Sequence, residues 1–156
     1  MKAILFQMGQ HMSGFFSPNS ALITDVNLMI QILILLIISV AIGYKIKKNY
    51  RMHGLLMGLG VILHLVFFAV AMWPSFSSGF DFFTTSTSLL GVQAMWIHAI
   101  PGLTTIILGL FVFGSWLLYV SDISGCFKKK RLMDVVLTSW LISLIFGIVT
   151  YLSFYI

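Results

Sequence analysis

The chain has 156 residues, of which 60% are apolar and 8% charged, with a formal net charge of +5 and a mean hydropathy of +1.06. A soluble domain carries about a quarter of its residues as Asp, Glu, Lys or Arg, so nine cations and four Asp cannot cover a water-facing surface of this size. About 20 apolar residues cross a bilayer as a helix; four such spans fill the chain and exclude a second soluble domain of any size.

Taken from the start, MKAILFQMGQHM has one Lys and too short an apolar run for a signal peptide, and is expected to stay in the mature chain. Residues 1–20 form a short segment before the first span. That span is predicted over 21–44, with Thr24 or Asp25 as its N-cap and the run LMIQILILLIISVAIG as its core. Within it, Asn27 and Gln31 suit hydrogen bonding to another helix. A basic cluster, Lys45, Lys47, Lys48 and Arg51, turns the chain into a second span predicted over 52–73, a tight helical hairpin. Trp73-Pro74 marks a membrane interface and a stop. The segment SFSSGFDFFTTSTSLL that follows is too polar to span and too aromatic for a free linker, which places it at the outer interface.

The third apolar stretch, 92–120, is longer than one crossing needs, so it either tilts or bends at Pro101. A second basic cluster, Lys128, Lys129, Lys130 and Arg131, precedes a fourth span over 133–155 that ends on Tyr151, Phe154 and Tyr155. The expected architecture is all-α: an up-down bundle of four transmembrane helices in the domain 21–156. Eight of the nine cations lie in the two clusters, which is a topology signal and not a groove for nucleic acid. By the positive-inside rule both clusters face the cytoplasm, so both termini are expected outside a cell membrane. The single Cys126 permits no intrachain disulfide.

Ionisable groups inside a bilayer are costly enough to be functional candidates. Here they are His53, His64 and His98, with His11 and Asp25 near the outer side. Asp25 is most simply a helix cap. His53, Met57, Gly60 and His64 fall on one helical stripe, but His53 and His64 are about 16 Å apart along the axis, too far for one metal ion. Gly54, Gly58 and Gly60 form a notch for close helix packing or for a porphyrin face. Counted from the cytoplasmic ends, His64 is about 18 Å deep and His98 about 33 Å. Tilt leaves a mismatch on the order of 10 Å, which disfavours a bis-histidine haem between them. His98 with His11 and nearby Met residues would instead suit copper. No HExxH, GxSxG or P-loop is present, and Glu is absent altogether.

Gly14-Phe15-Phe16-Ser17-Pro18 ahead of Asp25, Tyr50-Arg51-Met52-His53-Gly54-Leu55-Leu56-Met57, Trp96-Ile97-His98-Ala99-Ile100 with Gly102 and Gly109, and Gly147 in the last helix resemble an uncharacterised four-helix membrane family. That family includes an assembly factor for haem-copper cytochrome oxidase. The resemblance implies two family histidines, matched by His53 and His98, and a role around haem or copper in respiratory enzymes. It departs at 128–134, where the family often has a further His and this chain reads KKKRLMD. Three functions are therefore expected as alternatives. The first is a non-catalytic accessory or assembly subunit of a membrane oxidase or monooxygenase, partnered by its other membrane subunits. The second is a b-type haem electron carrier, and the third is an outer-face copper-handling protein.

Overall fold

The computed structural model describes residues 13–118 and 129–156. His11, Cys126, Lys128 and the end of the third predicted span fall outside the described residues. The elements are α1 (Leu22–Ile46), α2 (Tyr50–Phe67), a π-helical turn (Phe68–Met72), α3 (Trp73–Ser78), α4 (Phe80–Thr85), α5 (Leu90–Leu117) and α6 (Lys130–Tyr155). Among the described residues four helices are long and apolar enough to cross a membrane: α1, the continuous run Tyr50–Ser78, α5 and α6. The chain is an all-α, multi-pass helical membrane protein. Among the described residues the only β-type pairing is an isolated bridge between Ser13 and Ala21.

Several boundaries differ from expectation for local reasons. Helix α1 starts at Leu22 with Ala21 as its N-cap, so neither Thr24 nor Asp25 is the cap. The helix does not stop at Trp73-Pro74. Proline has no N–H, and its ring crowds the carbonyl four residues back. The π turn accommodates this: the Trp73 N–H bonds to the Phe68 carbonyl, and Pro74 sits in the first turn of α3. Helix α5 carries Pro101 inside it without interruption, and the Thr105 hydroxyl donates to the Pro101 carbonyl at 2.9 Å.

The α1–α2 hairpin is tight because its turn is fully bonded. Lys48 takes a left-handed conformation (φ 58°), the Asn49 N–H bonds to the Tyr44 carbonyl at 2.9 Å, and the Asn49 side chain caps α2 by accepting from the Met52 N–H. Helix α1 packs on α2, α2 on α5, and α5 on α6. Ile34 and Ile38 of α1 meet Trp140 of α6 in the middle of the bundle. Most large side chains elsewhere on the spans, such as Leu36, Val40, Ile107 and Phe111, are exposed, as bilayer-facing positions are.

The glycines of α2 do not play one role. A Cβ at Gly58 would run into the Phe113 ring, and one at Gly54 into Trp116, so aromatic side chains of α5 fill both notches. A Cβ at Gly60 would only touch Ile34 and Ile38, at 3.7 and 3.8 Å, which is ordinary contact. Gly58→Ala is accordingly expected to cost about 2 kcal/mol by overpacking. Gly60→Ala is expected to be neutral or to stabilise by about 0.5 kcal/mol through helix propensity. Unfolding of the two variants in detergent checks the difference, and equal losses would contradict this assignment.

Candidate binding cavity within the bundle

Residues 14–20 fold back over the end of the bundle. Gly14 N–H bonds to the Ser20 carbonyl at 2.8 Å, and the Ser17 hydroxyl donates to the Tyr155 carbonyl at 2.7 Å, which ties this segment to the last turn of α6. At its centre is Asp25, fully buried. Its carboxylate accepts from the Phe16 N–H at 2.8 Å, the Ser20 hydroxyl at 2.7 Å and the Tyr151 hydroxyl at 2.7 Å. Asp25 is therefore a cross-link between loop, α1 and α6 and not a helix cap. Gly14 is needed here because a Cβ would strike the Asp25 carboxylate.

Beneath this end, α1, α2, the π turn, α5 and α6 line a half-open cavity of about 340 Å³. Its wall takes the first half of α1 and of α5 and the last half of α2 and of α6, as antiparallel neighbours require. Asn27, Gln31, His64, His98 and Ser143 all stand in it. The short helix α4 adjoins it: Trp96 Nε1–H donates to the Phe83 carbonyl at 3.2 Å, and Phe76 stacks on Phe83 with centroids 6.0 Å apart. Among the described residues, no Asp, Glu, Lys or Arg lines the cavity.

The crossing of α5 over α6 fixes His98. His98 and Gly102 on α5 oppose Gly147 and Ser143 on α6, so a large group faces a small one at each level. A Cβ at Gly147 would sit 2.9 Å from His98 Nδ1, and one at Gly102 would sit 2.9 Å from Ser143 Oγ. The ring Nδ1–H donates to the Ser143 carbonyl at 2.7 Å, while the Ser143 hydroxyl donates to the His98 carbonyl at 2.9 Å. A carbonyl can only accept, so Nδ1 carries the proton and Nε2 of the neutral ring is a bare lone pair. Ser143 Oγ also lies 3.1 Å from Nδ1. With that nitrogen already protonated the pair has no base to activate the hydroxyl, unlike a nucleophilic Ser-His pair.

His64 is buried on α2 with its Nδ1 3.2 Å from Gln31 Oε1 on α1. Its Nε2 is buried, and the Gly102 backbone of α5 is the group that lies against the ring. His64 thus lies level with Gly102, one turn or about 6 Å from His98 along α5. The two rings share one cavity and are closer in depth than the sequence arithmetic allowed, though not level. Gln31 Nε2 and Asn27 Oδ1 are buried without partners. Gln31 thus binds across helices as expected, whereas Asn27 keeps an open acceptor.

His53 stands apart. It donates from Nδ1 to the Ala41 carbonyl of α1 at 2.9 Å and lines a separate cavity of about 100 Å³ at the basic end, with Met57, Trp116 and Met133. The stripe His53, Met57, Gly60, His64 is real but serves two cavities. Among the described residues no group of three His, Cys, Asp or Glu could hold a metal ion, and the expected His11 partner of His98 lies outside them. Sequence reasoning missed Ser143 as the residue that sets the His98 tautomer. Its only signal was a small polar residue four positions before Gly147 in an apolar run.

This fold and cavity define a class: a four-span helical membrane protein with an uncharged, histidine-bearing internal site. Comparison with protein-family models, with curated proteins and with solved structures finds no match.

Proposed function

We propose that the chain is a non-catalytic accessory or assembly subunit of a respiratory oxidase or monooxygenase in the cell membrane. The observation that carries the reading is the aromatic-end cavity, which has the features of a holding site. It offers polar atoms for recognition and an apolar wall for affinity, and its Ser-His pair is locked in the unreactive tautomer. The resemblance around His53 and His98 supports the same direction, and so does its loop motif, since Gly14 and Phe16 both meet the buried Asp25. Gentle solubilisation of native membranes followed by native mass spectrometry is the test. The tagged chain is expected to run with other membrane subunits of an oxidase or monooxygenase, and its deletion to lower the assembled enzyme several-fold. A partnerless chain whose deletion leaves assembly unchanged would overturn the proposal.

A haem b carrier is the second reading, favoured by His64 and His98 sharing one cavity. Imidazole is an axial ligand that a b-type haem takes. Among the described residues the wall offers no Lys or Arg for the two propionates, which weighs against it. A Soret band in the purified chain, lost on His98→Ala, decides for haem; its absence from carefully purified protein decides against.

A further inference from the structure

We infer that the aromatic-end cavity holds one monovalent copper ion, Cu(I), on His98 Nε2 and the thioether sulfurs of Met95 and Met72. The inference rests on the accessory reading and deepens it by naming what the subunit holds.

The imidazole comes first. His53 Nε2 and His64 Nε2 are buried away from any open space, whereas His98 Nε2 is not, and His98 lines this cavity. Among the described residues it is the one imidazole left open to it. Donation from Nδ1–H to the Ser143 carbonyl puts the free lone pair on Nε2 and holds the ring in place. Histidines that ligate metals are held in this way, with the other ring N–H given to a carbonyl or carboxylate.

Two methionines of the same wall meet this nitrogen in depth. Met95 precedes His98 by three positions on α5, so the two are neighbours on one helix face. Met72 belongs to the π turn that continues α2. His64 lies level with Gly102, and the climbs from His64 to Met72 and from Gly102 back to Met95 are about 12 and 10.5 Å at helical rise. Met72 is therefore level with Met95 across the cavity. Side chains lean toward the N-terminus of their own helix, so Met72 leans toward the level of His98 while His98 leans toward that of Met95.

Methionine is commonly apolar filler, but two thioethers at the level of an open imidazole make a soft donor set. Such a set selects Cu(I), whereas Mg, Ca and Mn take carboxylates and carbonyls. The described wall has no carboxylate to offer those harder ions. Charge points the same way, because a buried cation needs a counter-charge. Asp25 is fully buried and, among the described residues, bonded to neutral donors only. It lies about 9 Å along α1 from Gln31, which meets His64, and so stands close to the depth of Met95. Its partner Tyr151 lines the cavity. One carboxylate balances one monovalent ion and leaves a divalent ion in surplus.

The test uses the full chain in lipid nanodiscs, titrated under argon with Cu(I) kept reduced by ascorbate, in competition with the chromophoric chelator bicinchoninate. One Cu(I) per chain is expected, with one nitrogen and two sulfur neighbours by X-ray absorption. Met95→Leu and Met72→Leu should each weaken binding tenfold or more, since even losses outside the ligand set cost about 10- to 100-fold. His98→Phe should abolish it. Met57→Leu and His53→Phe, at the other cavity, and His11→Ala should bind as the parent does. Leucine keeps the volume of methionine, so the Met variants remain informative even if His98→Phe does not fold. Copper content equal to empty discs would overturn the inference, as would parental affinity in either Met95→Leu or Met72→Leu. A haemin titration that yields a b-type spectrum dependent on His98 would overturn it in favour of haem. A chain that runs with an oxidase but binds no Cu(I) loses this inference alone; one that binds Cu(I) but is partnerless loses the accessory reading alone.

Discussion

Asp25→Ala is expected to destabilise the folded chain by about 3 kcal/mol, the largest loss from removing a single polar group here. Three donors converge on this carboxylate from the loop backbone, from Ser20 and from Tyr151. Hydrogen bonds to a charged group contribute about 1.5–3 kcal/mol each in proteins, whereas those between transmembrane helices average nearer 0.6 kcal/mol. Asp25 sits at the end of the bundle, so its three bonds are taken between these figures, at about 1 kcal/mol each. Its removal also strands the hydroxyl of Tyr151, which is buried at 6% exposure. Tyr151→Phe should cost only about 1 kcal/mol because two donors remain. Asp25→Asn should fall between, since its oxygen still accepts but its NH2 group faces donors. Detergent unfolding of the three variants checks the order. A loss under 0.5 kcal/mol for Asp25→Ala would mean that the loop is not held by this residue.

The same residue shows what could be read from the sequence and what could not. The four spans were legible because uninterrupted apolar runs between clustered cations have no other physical solution at this length. The hairpin turn was legible because its residues are local. Asp25 looked like a cap because capping is the local use of an acid beside an apolar run; its real partner, Tyr151, is 126 positions away. The histidine depths failed for a related reason. Placing the second span at 52 and ending the third at 120 puts His64 and His98 ten residues apart in depth. The observed ends, Tyr50 and Leu117, halve that to five. Small boundary errors at opposite ends of antiparallel helices add. The cavity itself was not legible, since it exists only where halves of four helices meet.

Ser143→Leu is the second large effect, and it connects stability to the cavity. Ser143 is 1% exposed and packs where Gly102 leaves room, with the hydroxyl 2.9 Å from the position a Gly102 Cβ would occupy. A leucine there has nowhere to go except against α5. Forcing the closest helix pair of the bundle apart is expected to cost about 3 kcal/mol, the upper part of the usual overpacking range. Ser143→Ala removes the hydroxyl bond to the His98 carbonyl and the 3.1 Å contact with Nδ1, and should cost about 1 kcal/mol. The bond that fixes His98 uses the backbone carbonyl of Ser143, not its side chain. Alanine should therefore leave the imidazole tautomer and any ligand binding in the cavity nearly unchanged, whereas leucine displaces that carbonyl and should abolish both. Unfolding measurements on the two variants, with 15N shifts of the His98 ring as the reporter of Nδ1 protonation, separate these effects. If alanine moved the ring signals as far as leucine, the hydroxyl and not the backbone would be holding His98. The cavity's acceptor character would then depend on one side chain and not on the helix crossing itself.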